Sequence, residues 1–212
     1  MFISLFLSAY IIGFSGAMMP GPLLTVTISE AYRLGFKAGP LIVLGHAILE
    51  MTLVLGLTMG LHFVLINPYF KAAVALFGGI VLLLMGAGMT REAWRKESAL
   101  SLGPGNNKYR LPPVISGVVI SLSNPYWLIW WATIGMTYIT LALKGGPLGL
   151  GVFLTGHLLA DLTWYSMISF TVANGKKMIK ENLYRNILIA CGVFMFSLGL
   201  YFVFSSMKFL GS

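Results

Sequence analysis

Two pairs of ionisable residues stand inside apolar stretches, each a histidine followed four residues later by a carboxylate: His46 with Glu50, and His157 with Asp161. On an α-helix that spacing puts both members on one face, within reach of each other. A carboxylate beside an imidazole can take up and release a proton. Two imidazoles and two carboxylates from facing helices also make a suitable ligand set for a zinc, nickel or manganese ion. A third reading is structural, with each imidazole holding its neighbouring carboxylate in a hydrogen-bonded pair between helices. The pairs sit in matching phrases, Gly-His-Ala-Ile-Leu-Glu-Met-Thr-Leu over residues 45–53 and Gly-His-Leu-Leu-Ala-Asp-Leu-Thr-Trp over residues 156–164. Ionisable side chains in a hydrocarbon-length segment face a cavity or each other far more often than lipid, so these four are the first functional candidates.

Backbone supplies the second chemistry. Residues 1–29 carry no charge and are interrupted by Pro20-Gly21-Pro22; residues 113–143 are likewise uncharged and interrupted by Ser121-Leu122-Ser123-Asn124-Pro125. Proline lacks an N–H and clashes with the carbonyl one turn back, so each motif is expected to unwind a helix and free backbone groups that can bind a ligand. The half-helix after Pro22 would aim the positive end of its dipole at the break, which suits a carboxylate. Ser121, Asn124 and Tyr126 could serve the second break in the same way.

The elements that must hold these residues follow from composition. With 58% hydrophobic and 9% charged residues, the chain has too little polar surface to coat a soluble globule, and an all-α integral membrane protein is expected. The net charge of +8 does not indicate nucleic acid, because the basic residues lie in short connections between apolar runs. Stretches able to cross a hydrocarbon core run over residues 1–29, 38–66, 72–89, 113–143, 145–175 and 186–207. The first is read as a retained span, since it has neither a basic leader nor a cleavage site. Residues 1–92 form a first three-helix repeat, 93–112 a linker inside a polar stretch that begins near residue 90, and 113–212 a second repeat. Arg33, Lys37, the linker cluster Arg91, Arg95, Lys96, Lys108 and Arg110, and the hairpin with Lys176, Lys177, Lys180 and Arg185 follow spans 1, 3 and 5. The other side has only Lys71, Lys144 and Lys208, so the first set is cytoplasmic and both termini lie outside. A half with three crossings forces the second half to enter inverted. Gly35 and Gly45 match Gly146 and Gly156 at one constant offset, and Gly79 and Gly86 match Gly192 and Gly199 at another. In such inverted repeats with interrupted helices, substrate sites form at mid-membrane between the halves.

Several features carry less. Gly35 with Gly39, and Gly56 with Gly60, are spaced for close helix packing. Trp127, Trp130 and Trp131 could stack on a substrate but fit an interfacial belt or packing more simply. His62 reads as interfacial, and Glu30 with Arg33 as a solvated pair. The one cysteine, Cys191, excludes a disulfide framework or dithiol relay. No phosphate-binding loop is present, which excludes an ATP-driven pump on this chain alone, and no Ser or Cys nucleophile stands in a recognisable motif, so neither an enzyme nor a cofactor is expected.

Pro20-Gly21-Pro22, the glycines at 35, 39 and 45, Glu50, and Asn124-Pro125 together resemble the LysE-type translocators, the amino-acid exporters of prokaryotic inner membranes. The resemblance covers almost the whole chain. It implies export of amino acids or related small metabolites across the inner membrane, driven by protons or membrane potential, by a homo-oligomer. Many members carry Asp at the position of Glu50, and the histidine partners are not shared throughout the family. A divalent-cation exporter using His46, Glu50, His157 and Asp161 stays open as the alternative.

Overall fold

The computed structural model describes residues 1–19, 21–61, 67–94, 111–175 and 181–210, and every regular element among them is helical. Pro20, His62, Arg95, Lys96, Lys108, Arg110, Lys176, Lys177 and Lys180 lie outside the described residues. In chain order the helices are α1 (Phe2–Ala17), α2 (Pro22–Leu34), α3 (Ala38–Gly56), α4 (Pro68–Trp94), α5 (Pro113–Leu122), α6 (Pro125–Trp130), α7 (Met136–Leu143), α8 (Gly146–Gly175) and α9 (Glu181–Leu210). A single 3-10 turn, Gly35–Lys37, joins α2 to α3, and wide π turns extend α3 over Leu57–Leu61 and link α6 to α7 over Trp131–Gly135.

Helix starts follow local chemistry. Four of these helices begin on proline, whose fixed φ suits the first turn and whose missing N–H would have had no helical partner. Asparagine precedes two of those prolines and supplies the cap: Asn67 Oδ1 accepts from the N–H of Tyr69 at 2.9 Å, and Asn124 Oδ1 from that of Tyr126 at 3.1 Å. The first uncharged run is broken where expected, α1 ending at Ala17 and α2 starting at Pro22. The second is broken at Ser123 and Asn124.

Among the described residues, three stretches are long and apolar enough to cross a membrane, Pro22–Gly60, Pro68–Gly88 and Tyr126–Leu143. Helices also outrun the apolar segments read from sequence. α4 covers Pro68–Trp94 where the apolar run spans residues 72–89, so Arg91 is helical, and α9 takes in Arg185. A helix satisfies its backbone whatever its side chains, and long basic side chains can reach polar surroundings from its ends.

Packing is set by glycine. α1 lies against α8, α5 against α3, and α4 runs along α9. A Cβ on Gly45 would overlap the Val114 carbonyl of α5, one on Gly117 the Ile42 carbonyl of α3, and one on Gly156 would reach 2.7 Å from the Phe6 carbonyl of α1. Gly39 faces the Tyr165 carbonyl of α8 equally closely. Gly35 and Gly146, matched in sequence, both take left-handed backbone, at φ 72° and 66°, where the chain turns into α3 and α8. Gly60 does not serve the packing expected of it: its φ is 98° and nothing lies within 4 Å of where its Cβ would stand.

The burial pattern is reversed relative to a soluble protein. Ile11, Phe77 and Phe204 face outward at 70%, 68% and 61% exposure, while Glu50 and Asp161 are 1% and 2% exposed. That arrangement suits a lipid surround.

Gly45→Ala and Gly117→Ala should each lower stability by about 1–3 kcal/mol through overpacking. Gly88→Ala and Gly151→Ala, where a Cβ would meet open space, should be neutral or stabilising. Thermal unfolding of the four variants in detergent checks this.

Candidate functional site

The four ionisable residues converge although they come from two helices far apart in sequence. α3 places His46 and Glu50 one turn apart on its inner face, α8 does the same for His157 and Asp161, and all four are buried. His46 Nε2 lies 3.1 Å from Glu50 Oε1 and 3.8 Å from Asp161 Oδ2. His157 Nε2 lies 3.1 Å from Glu50 Oε2 and 3.6 Å from Asp161 Oδ2. Each imidazole therefore bridges both carboxylates, and the pairing crosses between helices as well as running along them.

Glu50 is the most heavily engaged of the four. The indole N–H groups of Trp127 and Trp131 both donate to its Oε1, at 3.1 and 2.9 Å. These tryptophans are four residues apart, so α6 and the turn after it present both indoles on one side. The π turn at Trp131–Gly135 widens the helix there, and Gly135 leaves room for the Trp131 ring, which a Cβ would strike. Trp130 turns the other way, stacking on His157 at 4.7 Å with its N–H bonded to Ser15 Oγ at 3.1 Å. The three tryptophans are thus buried parts of the site and not an interfacial belt. The legible signal was the four-residue spacing of two N–H donors directly after a helix break.

His46 is oriented from the opposite side. Ser121 Oγ donates to the Gly117 carbonyl at 2.7 Å and meets His46 Nδ1 at 2.6 Å. A hydroxyl has one proton, so with that proton given to Gly117 the oxygen accepts from Nδ1–H and Nε2 is left to face the acids. At 3.1 Å, Nε2 and Glu50 Oε1 must then hold a proton between them. The cluster can store protons and pass them among four groups.

A cavity of about 40 Å³ joins this cluster to both helix breaks. Gly21 and Met19 line it from the first break, Asn124 and Tyr126 from the second, and Ser121 and the four ionisable residues from its depth. Pro22 is buried at the head of α2 without being among the lining residues, and Pro125 begins α6. Glu30 departs from the solvated pair expected: it is 6% exposed and receives Arg33 Nη2 at 2.5 Å.

Ligand atoms of His46, Glu50 and Asp161 lie within 4.8 Å of one another, near enough for a metal ion. Glu50 Oε1 already accepts two indole N–H groups, so Oε2 is the oxygen that Glu50 could turn to an ion.

Known proteins bear on this geometry. A family model described as LysE type translocator matches residues 14–206. The putative amino acid efflux protein YcgF of Bacillus subtilis is 25% identical over 206 residues, covering 97% of this chain and 98% of its own. The chemotactic transduction protein ChpE of Pseudomonas aeruginosa is 26% identical over 201 residues, covering 92% and 96%. No solved structure matches this chain.

Removing either indole donor leaves a buried acceptor short of a partner. Trp127→Phe and Trp131→Phe should each cost about 1–3 kcal/mol. Because both act on one oxygen, a double-mutant cycle in thermal unfolding should show the two losses to be non-additive.

Proposed function

The chain belongs to the LysE type translocator family, and from that premise we propose that it is a secondary exporter of amino acids or related small metabolites, coupled to protons. It is a multi-pass membrane transporter with a small-molecule substrate. The observation that carries the finer reading is the shared cavity, where two unwound helix junctions meet four buried ionisable side chains. The unwound backbone at Gly21 and the side-chain amide of Asn124 offer a ligand hydrogen bonds, with Ser121 and Tyr126 beside them and proline at each break opposing a continuous helix. His46, Glu50, His157 and Asp161 hold the coupling protons.

An inverted repeat of two three-helix halves explains how such a site can face either side in turn. Reciprocal contacts support it. The middle helix of each half packs on the first helix of the other, α3 on α5 and α8 on α1. Gly79 abuts the Gly199 carbonyl and Gly192 abuts the Gly86 carbonyl. Exchanging the halves turns Gly79 into Gly192 and Gly199 into Gly86, so each contact becomes the other, as a two-fold axis requires. The basic residues after spans 1, 3 and 5 set those connections in the cytoplasm of a prokaryotic cell, with both termini outside the inner membrane and the chains assembled as a homo-oligomer. A divalent-cation exporter is the weaker reading, because the family and the similar efflux protein point to amino acids.

Reconstitution tests this. Proteoliposomes loaded with amino acids should release at least one of them when a pH gradient is imposed. Release should fall at least tenfold in Glu50→Gln and in Asp161→Asn. Release that ignores the gradient would remove the coupling, and movement of divalent cations in place of amino acids would move the chain to the alternative.

A further inference from the structure

The two helix breaks are not chemically equivalent, and neither are the two acids. At the second break Asn124 Oδ1 caps α6 by accepting from the Tyr126 N–H. At the first break Gly21 has no side chain to offer, and no side-chain cap is made to α2 among the described residues. Thr25 N–H donates to the Gly21 carbonyl at 3.1 Å, and the amides of Leu23 and Leu24, ahead of it at the head of α2, have no partner among the described residues. Gly21, Leu23 and Leu24 all line the cavity. The Asn124 amide nitrogen reaches toward the same point, 4.0 Å from where a Gly21 Cβ would be. These are N–H donors at the positive end of a helix dipole, the surroundings an anion prefers.

Among the acids, Glu50 Oε1 is held by two indole N–H groups. Asp161 lines the same cavity at 2% exposure, and its Oδ2 makes no hydrogen bond, the nearest imidazole nitrogens standing 3.6 and 3.8 Å away. A buried carboxylate oxygen short of a donor is a demanding acceptor, and a cationic N–H from a ligand meets that demand. The lining also includes the apolar side chains of Ala17, Met19, Leu23 and Leu24, and no Lys or Arg is among the described lining residues.

We propose that the cavity binds a zwitterionic α-amino acid with an apolar side chain, its carboxylate on the Leu23 and Leu24 amides at the head of α2 and its ammonium on Asp161 Oδ2. This rests on the exporter reading and sharpens it by fixing the polarity of the substrate and its class. An ammonium on Asp161 also contacts the group that the imidazoles bridge, so substrate and proton meet on one carboxylate and each hinders the other. A substrate with a second carboxylate finds no cation in the wall.

The test is a thermal-stabilisation titration of the detergent-purified full chain with L-alanine, L-valine, L-leucine, L-methionine, L-phenylalanine, L-lysine and L-glutamate. The tightest binder is then compared with its α-hydroxy acid, which lacks the ammonium, and its α-amide, which lacks the carboxylate. An apolar amino acid should bind, with both analogues at least tenfold weaker. In Asp161→Asn the advantage of the amino acid over the hydroxy acid should vanish, while the penalty on the amide remains. A hydroxy acid that binds the unaltered protein as well as its amino acid overturns the proposal and leaves the exporter reading standing. So does a preference for lysine or glutamate. Binding of none of the seven overturns the exporter reading together with this one. The comparison of analogues on the unaltered protein decides the matter even if Asp161→Asn fails to fold.

Discussion

A carboxylate taken out of water must be given donors, and Glu50 receives them from four separate elements. Two indoles arrive from α6 and the turn that follows, one imidazole from its own helix α3, and one from α8. No single helix could supply that set. The energetic demand of one buried acid therefore determines how α3, α6 and α8 approach, and the other features of the interior serve that approach. Gly45 and Gly117 let α3 and α5 come close enough for Ser121 to reach His46. Gly156 does the corresponding work between α8 and α1.

Hydrogen bonds left unmade matter as much as those formed. In hydrocarbon a backbone N–H without a partner is costly, so a broken helix persists only where a cavity or another group answers it. The second break answers itself through Asn124. The first has no side chain able to do so, and the cavity lies against it. The head of α2 and the Asp161 carboxylate thus line one cavity, and under the proposed reading a ligand supplies the hydrogen bonds that the protein does not.

The tryptophans and Glu30 mark the limits of reading by composition. Trp127, Trp130 and Trp131 are of a type enriched at membrane interfaces, and residue type alone assigns them there. The indole N–H groups of Trp127 and Trp131 instead found the buried Glu50 carboxylate, and that of Trp130 the Ser15 hydroxyl. Glu30 with Arg33 has the spacing of an exposed ion pair, but the packing of α2 against α8 covers the acid and leaves Arg33 at the edge. Gly60 was grouped with packing glycines by spacing, whereas the turn at the end of α3 required its left-handed backbone.

By itself the sequence determined the membrane class, the helical character, the sites of both breaks and the pairing of each histidine with its own acid. Those properties are local: apolar length, the missing N–H of proline and the four-residue helical period depend only on neighbours in the chain. Only the tertiary structure decided that His157 reaches Glu50, that Ser121 orients His46, and that two indoles hold one oxygen of Glu50. Each of these depends on distances between residues remote in sequence, set by which helix faces fit closely enough to bury a charge, and no local pattern records that fit.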